Sequence, residues 1–307
     1  MGGIRTYQGS VAIVTGGASG IGRAVGEELA RRGAGEIVIA DLQTTMAEEA
    51  AETIRRSGAR ATVVSLDVRD ADAVEKMIES AQRRAGRIDY VFNNAGTGVM
   101  GEAHLLEKRD WDLTVDINVR GLVNVIHAAY PRLVAQGYGH LVNTASVAGL
   151  IGSPFLAPYV GTKHFVVGVS KSMRVEGARH GVRVSALCPG AVRTPLLTGG
   201  SIGRSIYEMS EERKLAWWER FRPGDVNVFA KQSLDAIAKN EAVIVLPKHN
   251  RVGVTLFRMV PGLEEKIAAK IYARTLKDFP EMGTAAKPAP AATASRVERD
   301  DRSVPAA

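Results

Sequence analysis

Tyr159 and Lys163 stand four residues apart, thirteen residues after Ser146 and far downstream of the glycine-rich segment Gly16-Gly17-Ala18-Ser19-Gly20-Ile21-Gly22. If the pair lies on one helix, its spacing puts both side chains on the same face. A free phenol titrates near pH ~10 and is a poor base at neutral pH. An ammonium held close favours the phenolate, because opposite charge stabilises an ionised form. Tyr159 therefore reads as a general acid or base tuned by Lys163.

The glycine segment supplies a reason for such a group. Val11 to Thr15 has the pattern of a strand and Ile21 to Arg32 that of a helix. A glycine turn between the two lets the backbone approach a pyrophosphate, whose charge meets the N–H groups and positive dipole of the helix end. Asp41 closes the second strand nineteen residues after Gly22, near the spacing expected of an acid that binds the adenosine ribose. Its carboxylate accepts from both ribose hydroxyls and repels a 2′-phosphate, which favours NAD over NADP. Leu42 adds no positive charge beside it. Arg23 is the residue that points the other way, since a guanidinium nearby can bind a 2′-phosphate.

The elements that must position these groups alternate along the chain. Apolar, β-branched runs at Val11–Val14, Ile37–Ala40, Thr62–Leu66, Tyr90–Phe92, Leu141–Asn143, Val182–Leu187 and Ala242–Leu246 are separated by helical patterns. The pattern predicts an α/β fold, a single doubly wound Rossmann domain over residues 1–250 with a seven-stranded, mostly parallel sheet and helices on both faces. Gly33, Gly58, Gly86 and Gly181 sit where helices should end, and Thr45 to Glu48 and Asp72 to Glu75 have capping-box spacing. Residues 193–224, with Pro195, several glycines and the aromatics Trp217, Trp218 and Phe221, fall outside the alternation and read as a lid. Residues 283–307 are rich in Ala, Pro, Ser, Thr and charge, and are expected to be disordered.

Composition excludes several classes. The 307 residues are 45% hydrophobic and 24% charged, as in an ordinary globular protein. The net charge of +7 is scattered among acidic residues through most of the chain, which suits solvated surface rather than nucleic-acid binding. Cys188 is the single cysteine, so no intramolecular disulfide forms and a reducing compartment fits. No secretory signal and no membrane-spanning run is visible, and a cytoplasmic location is expected. The histidines lack metal-site spacing, and no metal is expected.

Taken together, the motifs from about Gly9 to Pro247 resemble the short-chain dehydrogenase/reductase family. Thr15 to Gly22 looks like its TGxxxGxG turn, Asn93-Asn94-Ala95-Gly96 like its NNAG motif, and Tyr159 to Lys163 like its YxxxK motif. Asn118, Ser146, and Pro189-Gly190 with Thr194 fall at the family's remaining positions. The resemblance implies an NAD(P)-dependent oxidoreductase acting on CH–OH groups, with Asn118, Ser146, Tyr159 and Lys163 as its catalytic set. Ser146 holds the substrate oxygen, Tyr159 moves its proton, Lys163 grips the nicotinamide ribose, and Asn118 holds a water through its backbone. Cofactor contacts are implied for Gly16, Ser19, Gly20, Ile21, Gly22, Asp41 and Leu42. They continue with Asp67 and Val68 beside the adenine, Asn94, Ala95 and Gly96, Tyr159 and Lys163, and Pro189, Gly190, Val192 and Thr194. Gly98 is read as conformational rather than a ligand contact. Family members commonly form homodimers or homotetramers.

The substrate side is less legible. Val147, Gly149, Leu150, Phe155, Leu156, Leu196 and Leu197, with the lid aromatics, suggest a hydrophobic secondary alcohol or ketone. An NADPH-dependent carbonyl or ketoacyl reductase is the alternative, and a non-catalytic dinucleotide sensor a more distant one. Beyond the last strand, residues 251–282 form a basic extension with Leu263, Ile267, Ile271 and Tyr272 at helical spacing. Packing on its own subunit or a neighbour is the favoured reading; peripheral membrane contact through residues 251–280 is the other.

Overall fold

The computed structural model describes residues 6–198, 203–260 and 262–283. The segment read as a disordered tail lies, from residue 284 on, outside the described residues. The strands are β1 (Val11–Thr15), β2 (Glu36–Asp41), β3 (Arg60–Ser65), β4 (Tyr90–Asn93), β5 (Gly98–Met100), β6 (Gly139–Thr144), β7 (Val182–Pro189), β8 (Gly203–Ser205) and β9 (Val243–Leu246). Between and after them run α1 (Gly20–Arg31), α2 (Thr44–Arg56), α3 (Ala71–Ala85), α4 (Lys108–Val115), α5 (Leu122–Gln136), α6 (Ala157–Ala178), α7 (Glu211–Glu219), α8 (Val226–Ala238), α9 (His249–Met259) and α10 (Leu263–Asp278).

Seven strands form one parallel sheet in the order β3-β2-β1-β4-β6-β7-β9. These are the seven runs legible in the sequence. Central strands β1, β4 and β6 are buried along their whole length, so both faces must be apolar. On one face Ile37, Ile39 and Phe92 pack against Leu29 of α1 and Ile54 of α2. On the other, Ile13, Val91 and Leu141 meet Ile78 of α3 and Leu133 of α5. Each such fully buried side chain is worth about 1.5–3 kcal/mol, which fixes the strand ends that carry the polar groups described below. The strand order reverses between β1 and β4, and in such sheets the crevice outside the carboxyl ends at the reversal is where ligands bind.

Several local expectations are corrected. Gly33, Gly58, Gly86 and Gly181 do end helices with positive φ, but neither capping box forms where the spacing suggested. Thr45 and Asp72 already lie inside their helices; α2 starts after Gln43 with no side-chain cap, and Asp70 caps α3 by accepting from the Ala73 N–H at 3.0 Å. A capping box is made instead by Glu107 and Asp110 at α4. The lid segment holds β8, which pairs with β5 in a two-stranded parallel sheet, and α7. Strands of three residues leave too little periodicity to read in advance.

The extension beyond β9 forms α9 and α10. Tyr272 stacks on Phe155 with ring centres 5.2 Å apart and donates to Glu102. Leu276, Phe279 and Met282 join Met100, Tyr207 and Trp217 in one apolar cluster. The extension thus packs over its own subunit, against Tyr207 and Trp217. Val252, Leu256 and Met259 of α9 remain exposed. Among the described residues no helix is long and apolar enough to cross a membrane.

Candidate active site

A cavity of about 740 Å³ opens over the carboxyl ends of the strands. At one end is the glycine turn. Gly16 and Gly20 have φ of +64° and +52°, in the left-handed region that favours glycine. A Cβ on Gly16 would lie 2.8 Å from the Ala95 Cα, so the turn closes tightly on the segment after β4. Asn94 holds this closure: its Nδ2 donates to the Thr15 and Gly16 carbonyls at 3.1 and 3.2 Å, and its Oδ1 accepts from the Thr144 hydroxyl. Thr15 Oγ1 accepts from the Asn94 and Ala95 N–H groups. Gly22 does not line the cavity; a Cβ there would strike the Gly16 carbonyl, so its role is close packing.

Asp41 reaches the cavity from the end of β2. Its two oxygens accept from the Ala18 N–H at 3.0 Å and the Gln43 N–H at 2.9 Å, which fixes the carboxylate beside the turn. Leu42 is exposed on the rim. Arg23, the residue that favoured a 2′-phosphate, is outside the cavity lining and donates to Glu27 at 2.8 Å. Asp67 and Val68 line the same end. The Asp67 carboxylate is held by the Arg69 guanidinium, with contacts of 2.5 to 3.0 Å, and that pairing keeps its pKa below the usual range.

At the other end Ser146, Tyr159 and Lys163 converge. Ser146 ends the segment after β6 and caps a short 3-10 turn, accepting from Ala148 N at 3.1 Å and donating to the Pro189 carbonyl at 3.3 Å. Tyr159 and Lys163 project from the first turns of α6 and line the cavity with Ser146. Burial pushes the Tyr159 phenol up to about 12, against the lowering effect of the nearby Ser146 hydroxyl. Burial also pushes Lys163 down to about 8. The expected lowering of the tyrosine by the lysine is not what this geometry produces. Lys163 Nζ lies 5.5 Å from the ring centre and donates to the Thr144 carbonyl at 2.8 Å, so it sits over the ring rather than at the hydroxyl, in a site dry enough to disfavour both charges.

Asn118 stands one layer behind. Its Oδ1 accepts from Thr97 N at 2.8 Å, and its Nδ2 donates to the Thr97 carbonyl and to Thr162 Oγ1, which in turn donates to the Tyr159 carbonyl. It does not line the cavity, and it lies in a π-helical turn, Asp116–Gly121. Such a turn replaces i→i+4 bonding by i→i+5, a widening found often at functional sites. Gly98 is corrected: its φ is not positive, and what it provides is clearance, since a Cβ there would stand 3.3 Å from the Tyr159 ring.

Ala95, Gly96, Pro189, Gly190, Val192 and Thr194 join the lining, as do Ser19 and Ile21. Of the expected substrate residues, Val147, Leu156, Leu196, Leu197, Trp217, Trp218 and Phe221 also line it. Gly149, Leu150 and Phe155 do not: Gly149 packs on the Lys163 backbone, Leu150 joins an apolar cluster, and Phe155 backs the wall against Tyr207 and Tyr272. Sequence reasoning missed Met100, Leu113, Ile117, Thr144 and Arg204 in the wall and Thr162 behind it, and it gave Thr15, also behind the wall, no role in the site. Only Thr15, first residue of the glycine motif, carried a sequence signal. The glycine cradle without room for a Cβ, the fixed Asp41 carboxylate and the elongated cavity together fit a dinucleotide.

Comparison with known proteins gives the same picture. The family model for short chain dehydrogenase matches residues 10–201. The oxidoreductase UcpA of Escherichia coli K12 is 38% identical over 189 residues, covering 61% of this chain and 71% of that one. A cyclohexanol dehydrogenase from Acinetobacter is 32% identical over 194 residues, 62% of this chain and 76% of that one. The crystal structure of a short chain dehydrogenase/reductase from Burkholderia phymatum in complex with NAD superposes with a TM-score of 0.72 at 27% identity, covering 82% of this chain and 94% of the other.

Proposed function

The chain belongs to the short-chain dehydrogenase family of oxidoreductases, which use a dinucleotide cofactor and act on CH–OH groups, and from that premise we propose that it is an NAD-dependent enzyme interconverting a hydrophobic secondary alcohol and its ketone. The observation that carries this reading is the convergence of Ser146, Tyr159 and Lys163 at one end of a cavity whose other end is the glycine turn and Asp41.

When bound, the dinucleotide supplies or accepts the hydride. The chain's own residues do the rest. Ser146 hydrogen-bonds the substrate oxygen as negative charge grows on it during reduction. Tyr159 gives its phenolic proton to that oxygen, or removes the alcohol proton in the reverse direction. Lys163, held on the Thr144 carbonyl, contributes a fixed positive charge at the ring and the hydrogen-bond donors for the nicotinamide ribose. Asn118 fixes the segment carrying Thr97 against α6 and so positions Tyr159. The NAD assignment is supported by Asp41 beside the turn and by the Glu27 pairing of Arg23. The hydrophobic substrate is supported by the aromatic and aliphatic walls and is in keeping with a cyclohexanol dehydrogenase among the relatives. Trp111, Val123, Phe165 and Val175, exposed on α4, α5 and α6, support assembly as a homodimer or homotetramer.

The test is a panel of alicyclic and aromatic alcohols and ketones with each cofactor, followed at the reduced-nicotinamide absorbance. NAD-linked turnover of at least one is expected; tighter binding of NADPH than NADH would remove the role given to Asp41.

A further inference from the structure

The substrate half of the cavity has apolar walls and cationic charged positions. Met100, Val147, Ile151, Leu156, Trp217 and Trp218 form much of its surface near Tyr159 and Ser146. The two carboxylates in the lining, Asp41 and Asp67, both lie in the dinucleotide half. Besides Lys163, the cationic lysines and arginines of the lining are Arg204, Lys214, Arg220 and Arg222, of which Lys214 and Arg220 share one segment with Trp217 and Trp218. Two of these are neutralised: Arg204 pairs with Asp110, and Arg220 lies 3.7 Å from Asp278. Lys214 and Arg222 have no ion-pair partner among the described residues.

Helix α7 shows how this arises. Lys214, Trp217, Trp218 and Phe221 follow i, i+3, i+4, i+7 spacing, which is one helical face, and all four line the cavity. Of its other charges, Arg213 pairs with Glu281 at 2.7 Å and Glu219 with Arg193, while Glu211 and Glu212 are exposed in the first turn, outside the cavity lining. The helix therefore turns an unpaired ammonium toward the cavity together with its aromatics. Arg222 follows Phe221 in the left-handed region, with φ of 50°, an unusual conformation for a long side chain. Trp217 is 2% exposed, and its indole N–H has no hydrogen-bond partner. Lys214 is half-buried and Arg222 exposed at the cavity mouth, and beside aromatic walls and an unused indole donor an anionic group gains charge-assisted hydrogen bonds from both cations.

We infer that Lys214 and Arg222 bind a carboxylate on the substrate, at the end remote from the reacting carbon, so that the substrate is an alicyclic or aromatic alcohol or ketone that is also an organic acid. The inference rests on the reading of Ser146 and Tyr159 as the reacting end.

Its test uses ligands that do not react, so it stands apart from turnover. Cyclohexanecarboxylate and the isosteric cyclohexanecarboxamide are titrated calorimetrically into the protein saturated with NADH. The carboxylate binds about tenfold or more tightly than the amide, as a charge-assisted bond requires, and the preference shrinks with added salt. Lys214→Gln with Arg222→Gln removes the preference and leaves amide binding and NADH affinity in place. Equal binding of the two ligands overturns the inference, as does a preference that survives in the double variant. A fall in NADH affinity matching the loss of preference also overturns it, because the cations then serve the cofactor's phosphates. Loss of all turnover with the carboxylate preference intact would instead indict the catalytic reading.

Discussion

The Lys163 ammonium lies 5.5 Å from the centre of the Tyr159 ring, while its hydrogen bond goes to the Thr144 carbonyl at 2.8 Å. The two side chains most conspicuous in the sequence thus lie side by side without a hydrogen bond between them, and burial opposes the charge on each.

The burial of Lys163 has a pH signature. Lys163 titrates near 8 in the folded, ligand-free protein and near 10.5 unfolded. Below pH 8 both states carry the proton and the fold bears the full cost of burying it. Between 8 and 10.5 the unfolded chain holds more protons, so this contribution to stability rises with pH. Tyr159, raised to about 12, acts oppositely and only above pH ~10, where the unfolded phenol ionises first. The stability of Lys163→Met relative to the native protein should therefore fall by about 2 kcal/mol between pH 7 and 9.5. Denaturant unfolding at the two pH values without cofactor measures it, and a pH-independent difference would refute the shift.

Gly98 leaves room for the Tyr159 ring, where a Cβ would stand at 3.3 Å. Gly98→Val should displace the phenol and lower kcat by about a hundredfold, the scale set by small misplacements of a reacting group. Circular dichroism and NADH affinity should stay near those of the native protein.

In the proposed NAD reading Asp41 sets cofactor choice, its carboxylate pinned by Ala18 and Gln43. Asp41→Asn should weaken NADH binding and raise the NADPH-to-NADH affinity ratio about tenfold, removing one repulsive charge and its hydrogen bonds to the ribose. Fluorescence titration of the two reduced cofactors reads the ratio; no change would mean the carboxylate does not face the ribose.

How much of this was legible in the sequence follows from periodicity and from chemistry that depends on spacing. The inner strands were readable because burial on both faces makes them apolar, as Ile37–Ala40 is, and the half-exposed edge strand β3 because its Thr62, Val63 and Val64 are β-branched. Tyr159 and Lys163 were readable because a helix fixes their relation. Met100 and Arg204 were not, since β5 and β8 are too short to leave a pattern and meet only in the folded chain. Phe155 misled for the converse reason: its neighbour Leu156 lines the cavity, while its own ring turns away to stack on Tyr272, more than a hundred residues later. The protonation of the pair in the chain alone could not be read from spacing, which reveals proximity, whereas burial, which dominates both shifts, belongs to the assembled site.

The central claim is that the Tyr159 phenol moves the substrate proton. Single-turnover reduction of a ketone by bound NADH, followed at the reduced-nicotinamide absorbance, should slow by about 10²–10⁴-fold in Tyr159→Phe, with NADH binding retained. An unchanged rate in that variant would contradict it.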